Sequence, residues 1–313
     1  MTANRRPAAS APDTSYGHGM SIDLPAAVAF LATHGRVLDR RRLELLVHGG
    51  DPTAVLAALD GYRNPDGGYG WGLEPDLRSP ESQPAGAMHA LEVLAEVAPT
   101  TTPRAVELCD WLAAISLPDG GLPFALPSAD RAGNAPLWVE PDTPVSSLQM
   151  TTQVAANAHL VGRHHADVAS HGWLSRATQW CLTAIDSLDT TPPAYELLFA
   201  IRFLDAVAEE EPAAARLLDR LSEYLPADGV VAVQGGAEGE AIRPLDFALR
   251  PNGPARRLFS EAVIAQERRR LIDGQGRDGG WTVEFASASP AATLEWRGYA
   301  TVRAVALLRA EDR

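Results

Sequence analysis

The sequence predicts an all-α fold, an α/α toroid of five or six helical hairpins, and three observations predict it. An Asp-Gly-Gly turn recurs along the chain, two kinds of helical pattern alternate between its copies, and strand signals are few. The turns are marked by Asp66, Asp119, Asp228 and Asp278. Their first and last intervals are 53 and 50 residues, and the middle one, 109, is about two periods. A period of this length holds two helices and their connections, so the unit is a helical hairpin.

Taken in order, the first twenty residues are rich in Ala, Pro, Ser and Gly and carry Arg5 and Arg6 with no apolar run after them. They read as a disordered tail, not a signal peptide, and residues 21–313 read as one domain. The first turn is Asn64-Pro65-Asp66-Gly67-Gly68-Tyr69-Gly70-Trp71. Residues 85–94 then form an apolar pattern with many small side chains and no wet face, which predicts a helix buried on every side. Residues 103–115 differ: Leu108, Trp111, Leu112 and Ile115 recur at helical spacing while Arg104, Glu107 and Asp110 keep the other face polar. This predicts an outer helix.

Leu117-Pro118-Asp119-Gly120-Gly121 is the second turn, and residues 154–161 and 197–204 are further inner patterns. The doubled interval predicts a missing turn near residue 173. Pro226-Ala227-Asp228-Gly229-Val230 is a degenerate copy, and Val230 to Val233 could pair as a short strand or simply connect. Residues 259–271 are an outer pattern, with Val263 and Ile264 opposed by Glu267 to Arg270, and residues 300–308 are the last inner one. Paired glycines suit these turns because a helix end that reverses at once needs positive φ, and the preceding Asp can cap freed amides.

Bulk properties narrow the function. With 313 residues, 46% hydrophobic, the chain can bury a large core, and its net charge of -13 excludes nucleic acid or an anionic membrane surface as its main partner. All its basic charge is arginine, and its two cysteines, Cys109 and Cys181, lie apart within apolar patterns. That is a reduced pattern, so the expected location is cytoplasmic. No uninterrupted apolar stretch reaches the roughly 18 residues of a membrane span.

Gln275, Gly279 and Trp281, spaced Gln-x-x-x-Gly-x-Trp, resemble the Gln-Trp repeat of squalene and oxidosqualene cyclases, whose superfamily includes protein prenyltransferase β-subunits. The resemblance spans about residues 50–310 through the partial turns and the shared period. It implies an inner-helix barrel enclosing an apolar cavity for an isoprenoid chain, with the Gln-Trp turns bracing outer helices. The family's catalytic motifs do not carry over. Where its protonating enzymes carry Asp-X-Asp-Asp-Thr-Ala, this chain has Pro80-Glu81-Ser82-Gln83-Pro84-Ala85, and no Asp-Asp pair occurs anywhere. Cys109 precedes Asp110 on an outer pattern, and no His follows Glu295, so the family's zinc set is missing too. Neither a metal nor another cofactor is expected, and the exposed-looking His164, His165 and His171 lack ligand spacing.

The segments between each turn and its inner helix hold the unexplained polar residues. Glu74-Pro75-Asp76 recurs as Glu140-Pro141-Asp142, and later units supply Arg243, Asp246 and Arg250, then Glu284, Glu295 and Arg297. Two readings stand. In one, these acids cap inner helices and pair with Arg78, Arg250 and Arg297 to clamp neighbouring repeats. In the other, carboxylates crowd at a low-dielectric rim, where burial and repulsion keep one protonated as an acid. Asp76 and Asp142 are then the candidate acids, with Glu74 and Glu140 as neighbours. Arg250, Arg297, Asp246, Glu295, Trp296 and Tyr299 are the candidate substrate-binding set, the arginines suiting an anionic group. His89 and His159 on inner patterns read as satisfied core histidines.

The leading expectation is an isoprenoid cyclase-like or transferase-like enzyme using carboxylate acid catalysis without metal on a small apolar ligand that could carry an anionic group. A non-catalytic lipid-binding toroid and a glycan-active helical barrel are the alternatives. Cavity lining separates them: an aliphatic and aromatic wall favours an isoprenoid, and Trp platforms with Asn and Gln favour a sugar.

Overall fold

The computed structural model describes residues 22–139 and 145–312. Its helices are α1 (Leu24–His34), α2 (Val37–His48), α3 (Pro52–Leu59), α4 (Pro84–Glu96), α5 (Arg104–Ile115), α6 (Leu148–Gly162) and α7 (Ala166–Ala169). They continue with α8 (Gly172–Asp186), α9 (Ala194–Val207), α10 (Ala213–Ser222), α11 (Pro244–Phe247), α12 (Glu261–Asp273) and α13 (Pro290–Glu311). A two-residue hairpin, β1 (Val231–Ala232) and β2 (Ala241–Ile242), is the only sheet among the described residues. Residues 231–232 therefore pair as a strand.

Helix starts follow local chemistry. Asp23, Asp51, Ser147, Ser260 and Ser289 cap α1, α3, α6, α12 and α13 by accepting a backbone N–H. Proline opens α1, α3, α4 and α13, where its missing N–H costs nothing. Burial then sorts the helices. In α9, Leu197, Ala200, Ile201, Phe203 and Leu204 have no exposure at all, and fully burying such an apolar side chain contributes roughly 2 kcal/mol. In α10 only Ala214, Leu217, Leu218 and Leu221 are buried, leaving a wet face. The result is six hairpins, each an outer helix followed by an inner one: α1/α2, α3/α4, α5/α6, α8/α9, α10/α11 and α12/α13. Inner helices pack in the order α4, α6, α9, and α13 returns to both α1 and α2. The ring is closed.

The fifth inner helix lasts a single turn. Asp246 Oδ2 accepts from Arg243 N at 2.8 Å at its start, but Pro251 and Pro254 follow and deny the chain further helical N–H donors.

The Asp-Gly-Gly turns are joints between hairpins. Asp66 Oδ1 accepts from Gly68 N at 3.0 Å and from the Ser82 hydroxyl at 2.8 Å, while its Oδ2 accepts from Trp111 Nε1 of α5 at 3.1 Å. Asp119 repeats the set with Gly121 N (3.1 Å), Ser146 (2.6 Å) and Trp180 Nε1 of α8 (3.0 Å). The first glycine has positive φ in each joint, 91° at Gly67, 98° at Gly120 and 91° at Gly279, and it faces a carbonyl of the next outer helix: Glu107, Arg176 and Ala26 respectively. The second glycine lies under an aromatic ring one helical turn on: Trp111, Trp180 and Phe30. A methyl there would come within 2.7, 2.9 and 2.7 Å of those rings, so only glycine lets turn and helix approach.

The last joint docks on the first helix and closes the ring. Gln275 fastens it, accepting from Asp23 N at 2.7 Å and donating to Asp23 O at 2.8 Å, and Trp281 Nε1 donates to Leu271 O at 2.7 Å. Asp278 has Arg297 of α13 where the other joints have a tryptophan, at 2.8 and 2.9 Å.

The missing turn is not near residue 173, which lies in the first turn of α8. It is the link between α8 and α9, residues 187–193, where Asp189-Thr190-Thr191 replaces the glycine pair. The even spacing misplaces it because the link from the second turn to α6 is long and α7 adds a further turn of chain.

Candidate functional site

Because the inner helices run parallel, the segments entering them gather at one mouth of the ring, and Glu74 and Asp76 lie there, both buried. Asp76 Oδ2 accepts from Trp296 Nε1 at 2.7 Å and its Oδ1 from Ala288 N at 2.7 Å. It thus ties the segment before α4 to the one before α13. Glu74 Oε2 lies 2.9 Å from His89 Nε2 of α4, and Glu74 Oε1 accepts from Asp76 N at 3.2 Å. Glu295 pairs with Arg78 across the same mouth.

Deeper in the ring the network continues. His89 Nδ1 is 3.5 Å from Glu92 Oε2, and the Tyr299 hydroxyl donates to Glu92 at 2.9 Å. Burial works against a charged His89, but the hydrogen bonds to Glu74 and Glu92 outweigh it and raise its pKa above the ordinary histidine value. Burial also opposes the Glu92 carboxylate; His89, Arg42 and the Tyr299 hydroxyl overcome it and hold Glu92 down to about 2. Arg42 of α2 grips Glu96 through two bonds of 2.7 and 2.6 Å and lies 5.4 Å over the Tyr299 ring. Arg303 donates to Asp246 Oδ1 at 2.7 Å, and Arg202 Nε donates to the Asp246 carbonyl at 2.6 Å.

These groups lie deep within the ring yet retain accessible surface: 25% for the Glu92 side chain, 34% for Glu96 and 28% for Arg303. Such a combination marks the wall of an internal, water-accessible space. On α6, Gln149, Gln153 and Asn157 recur half-buried at every fourth residue, Asn157 donating to the Met88 carbonyl of α4 at 3.2 Å. Trp296, Tyr299 and Arg303 form the matching stripe on α13. Aromatic rings cluster at the mouth end, Phe285 on Trp296 at 5.0 Å and Trp296 on Tyr299 at 5.5 Å, both edge to face. A groove of about 710 Å³ lined by Arg269, Arg270, Trp281 and Glu284 lies beside α12, apart from this network.

Of the residues singled out from sequence, the structure brings together Glu74, Asp76, Glu295, Trp296, Tyr299 and Asp246. Two arginines lie elsewhere. Arg250 binds Asp205 through Nε at 2.8 Å, near the C-terminal end of α9 and so at the opposite mouth, because the chain after α11 runs down the ring. Arg297 belongs to the last joint, held by Asp278 with its guanidinium 4.5 Å over Phe30. Glu140 and Asp142 lie outside the described residues. The stretch Pro80 to Ala85 is spent on structure: Ser82 bonds Asp66, and the Gln83 amide holds Leu126 at 2.8 and 3.0 Å. His159 bonds Thr178 at 2.8 Å on the outer side, whereas His89 belongs to the site. Arg42, Glu92, Arg202 and Arg303 escape the sequence reading. For the last three the signal is a lone charge within an apolar stretch, whereas Arg42 is hidden among Asp39, Arg40, Arg41 and Glu44 of α2.

Neither protein-family descriptions nor curated protein sequences contain a match to the chain. Solved structures do resemble it. A crystal structure of a protein from Actinoplanes has a TM-score of 0.52 at 18% identity, covering 92% of this chain and 89% of that one. The type II terpene cyclase MstE from Scytonema, in a substituted form with its substrate geranylgeranyl dihydroxybenzoate, has a TM-score of 0.51 at 15% identity over 91% of this chain and 96% of that one. A second substituted form gives 0.50 at 13%. No helix among the described residues is long and apolar enough to cross a membrane. At these identities the likeness is one of architecture: the chain has a terpene cyclase-like all-α fold.

Proposed function

We propose that the protein is a cyclase-like enzyme that protonates an isoprenoid-type ligand inside the ring without a metal, with Asp76 as the acid. The observation that carries this reading is the seat of Asp76, a buried carboxyl group bonded to Trp296 within the aromatic cluster of Phe285, Trp296 and Tyr299. Protonation of an alkene creates a carbocation, and aromatic faces beside the acid stabilise it. Ala288 N and Trp296 Nε1 use one lone pair on each Asp76 oxygen, and a carboxyl group has others to carry a proton. The proton given up returns when the last carbocation loses one, so the net reaction is an isomerisation. Glu74 is the neighbouring acid, and Glu140 and Asp142 remain candidates on sequence grounds.

A second reading, a toroid that binds such a ligand without converting it, is favoured by the same bonds, since Asp76 also serves as a fastener between two segments. Co-expression of the wild type and Asp76→Asn with an isoprenoid pool, followed by mass spectrometry of extracted lipids, separates the two. A product from the wild type that Asp76→Asn loses supports the acid. Equal retention of one unmodified lipid supports the binder, and identical profiles with no bound or new lipid refute both.

A further inference from the structure

The wall of the internal space is not uniformly apolar, and one of its arginines makes no direct ion pair. Arg36 pairs with Asp39, Arg42 with Glu96, Arg303 with Asp246, and His89 with Glu74 and Glu92. Arg202, on the ring-facing side of α9, has no carboxylate partner among the described residues. Its Nε is held by the Asp246 carbonyl, its guanidinium stands 5.4 Å over the Phe199 ring, and one terminal nitrogen is buried with no hydrogen-bond partner. A buried nitrogen in that state costs stability unless something completes it. Burial, then the nearby Arg303, lowers its pKa to about 10, so it remains a cation at neutral pH.

We infer that Arg202 is the receptor for a carboxylate on the ligand, the isoprenoid-type portion lying toward Trp296 and Tyr299. The assignment of the apolar portion rests on the function proposed above; the anion site stands on Arg202 itself. Charge matching selects the chemical class. Asp246 and Glu92 stand near enough to offset part of the Arg202 charge, so a monoanionic carboxylate is the most negative head the site takes and a diphosphate would bury surplus charge beside them. Nε is already held and one terminal nitrogen is covered, so the contact with a carboxylate oxygen is a charge-assisted bond from the other. Gln149 and Gln153 add donors and acceptors that a pure hydrocarbon would leave unused. The ligand is therefore amphipathic, an apolar body with a carboxylate head.

Calorimetric titration of the purified full chain with sodium benzoate and with benzyl alcohol tests the anion site without the apolar portion. Farnesoic acid, farnesol and farnesyl diphosphate test the whole ligand. The wild type is expected to bind each carboxylate at least about tenfold more tightly than its alcohol, and farnesoic acid more tightly than the diphosphate. Arg202→Met should abolish the preference while leaving farnesol unchanged, and Arg202→Lys should retain part of it. Arg202→Met should also melt no lower than the wild type without ligand, because it removes an unpaired buried charge; a lowered melting temperature would give Arg202 a structural role instead. Equal affinity of the wild type for acid and alcohol overturns the inference. Failure of farnesol and farnesoic acid to bind, with benzoate still bound through Arg202, overturns the isoprenoid reading alone.

Discussion

The same substitution placed in two copies of the hairpin joint tests whether the glycines serve close approach or merely turning. Gly120 and Gly279 have nearly equal φ, 98° and 91°, so alanine meets a similar left-handed backbone cost at each, about 1–2 kcal/mol. Their surroundings differ. At Gly120 the added methyl would stand 3.3 Å from the Arg176 carbonyl oxygen, and a shift of a few tenths of an ångström relieves it. At Gly279 it would fall on the Ala26 carbonyl, well inside van der Waals contact and against backbone that cannot rotate away. α1 must then lift, loosening Gly280 from Phe30 and Gln275 from Asp23, which adds about 1–3 kcal/mol. Gly279→Ala should therefore cost about 3–5 kcal/mol and Gly120→Ala about 1–2. Urea unfolding followed by circular dichroism measures both, and amide exchange in α1 should rise in the first variant only. Equal losses would show that the turn conformation, not the docking on α1, sets the requirement for glycine.

Two further perturbations address the interior network. Arg42→Met leaves Glu96 without its bidentate partner and should destabilise the protein by about 3 kcal/mol in thermal or chemical melts; Glu96 touches water, which keeps the loss at the low end of the range for broken buried pairs. Glu92, held down to about 2 from an ordinary value of 4.5, binds fewer protons folded than unfolded between those limits. Its contribution is present above about pH 4.5 and is lost as pH falls toward 2, so stability should drop by about 2 kcal/mol across that window. Glu96, whose pKa burial raises, acts in the opposite sense, so the quantity to compare is the wild type minus Glu92→Gln; a difference that does not change with pH would refute the assignment.

How far the molecule can be read from its sequence follows from the kind of signal each part leaves. The joints are legible because a docked turn demands glycine at two successive positions, and such demands repeat with the hairpins. Inner and outer helices are legible because their burial differs around the whole circumference. Glu74 and Asp76 stand out since they lie just before an inner helix, where packing asks for nothing polar, and Trp296 and Tyr299 since they precede the apolar run 300–308, although α13 already begins at Pro290. Glu92, Arg202 and Arg303 do not, since one charge within the apolar runs 85–94, 197–204 and 300–308 is lost in the average; the ring-facing spacing of Trp296, Tyr299 and Arg303 on α13 becomes meaningful only once that face is known. Arg250 is misplaced for the converse reason. Its position after the turn matches the mouth residues, but the fifth inner helix stops after one turn and the chain descends to Asp205.

Closing the ring through its first helix also imposes an order in time. Ala27, Phe30 and Leu31 bury against Leu43, Trp281, Val302 and Val305, a cluster apart from the one that the middle hairpins build among themselves. Asp23 and Gln275 are 252 residues apart, which at ordinary rates of translation is about 10–50 seconds of synthesis. Throughout that interval α1 has left the ribosome with its apolar face uncovered, while the hairpins behind it can already stack. The helix made first is the last to be housed, and a nascent chain stalled before Trp281 would hold a folded arc with one adhesive end.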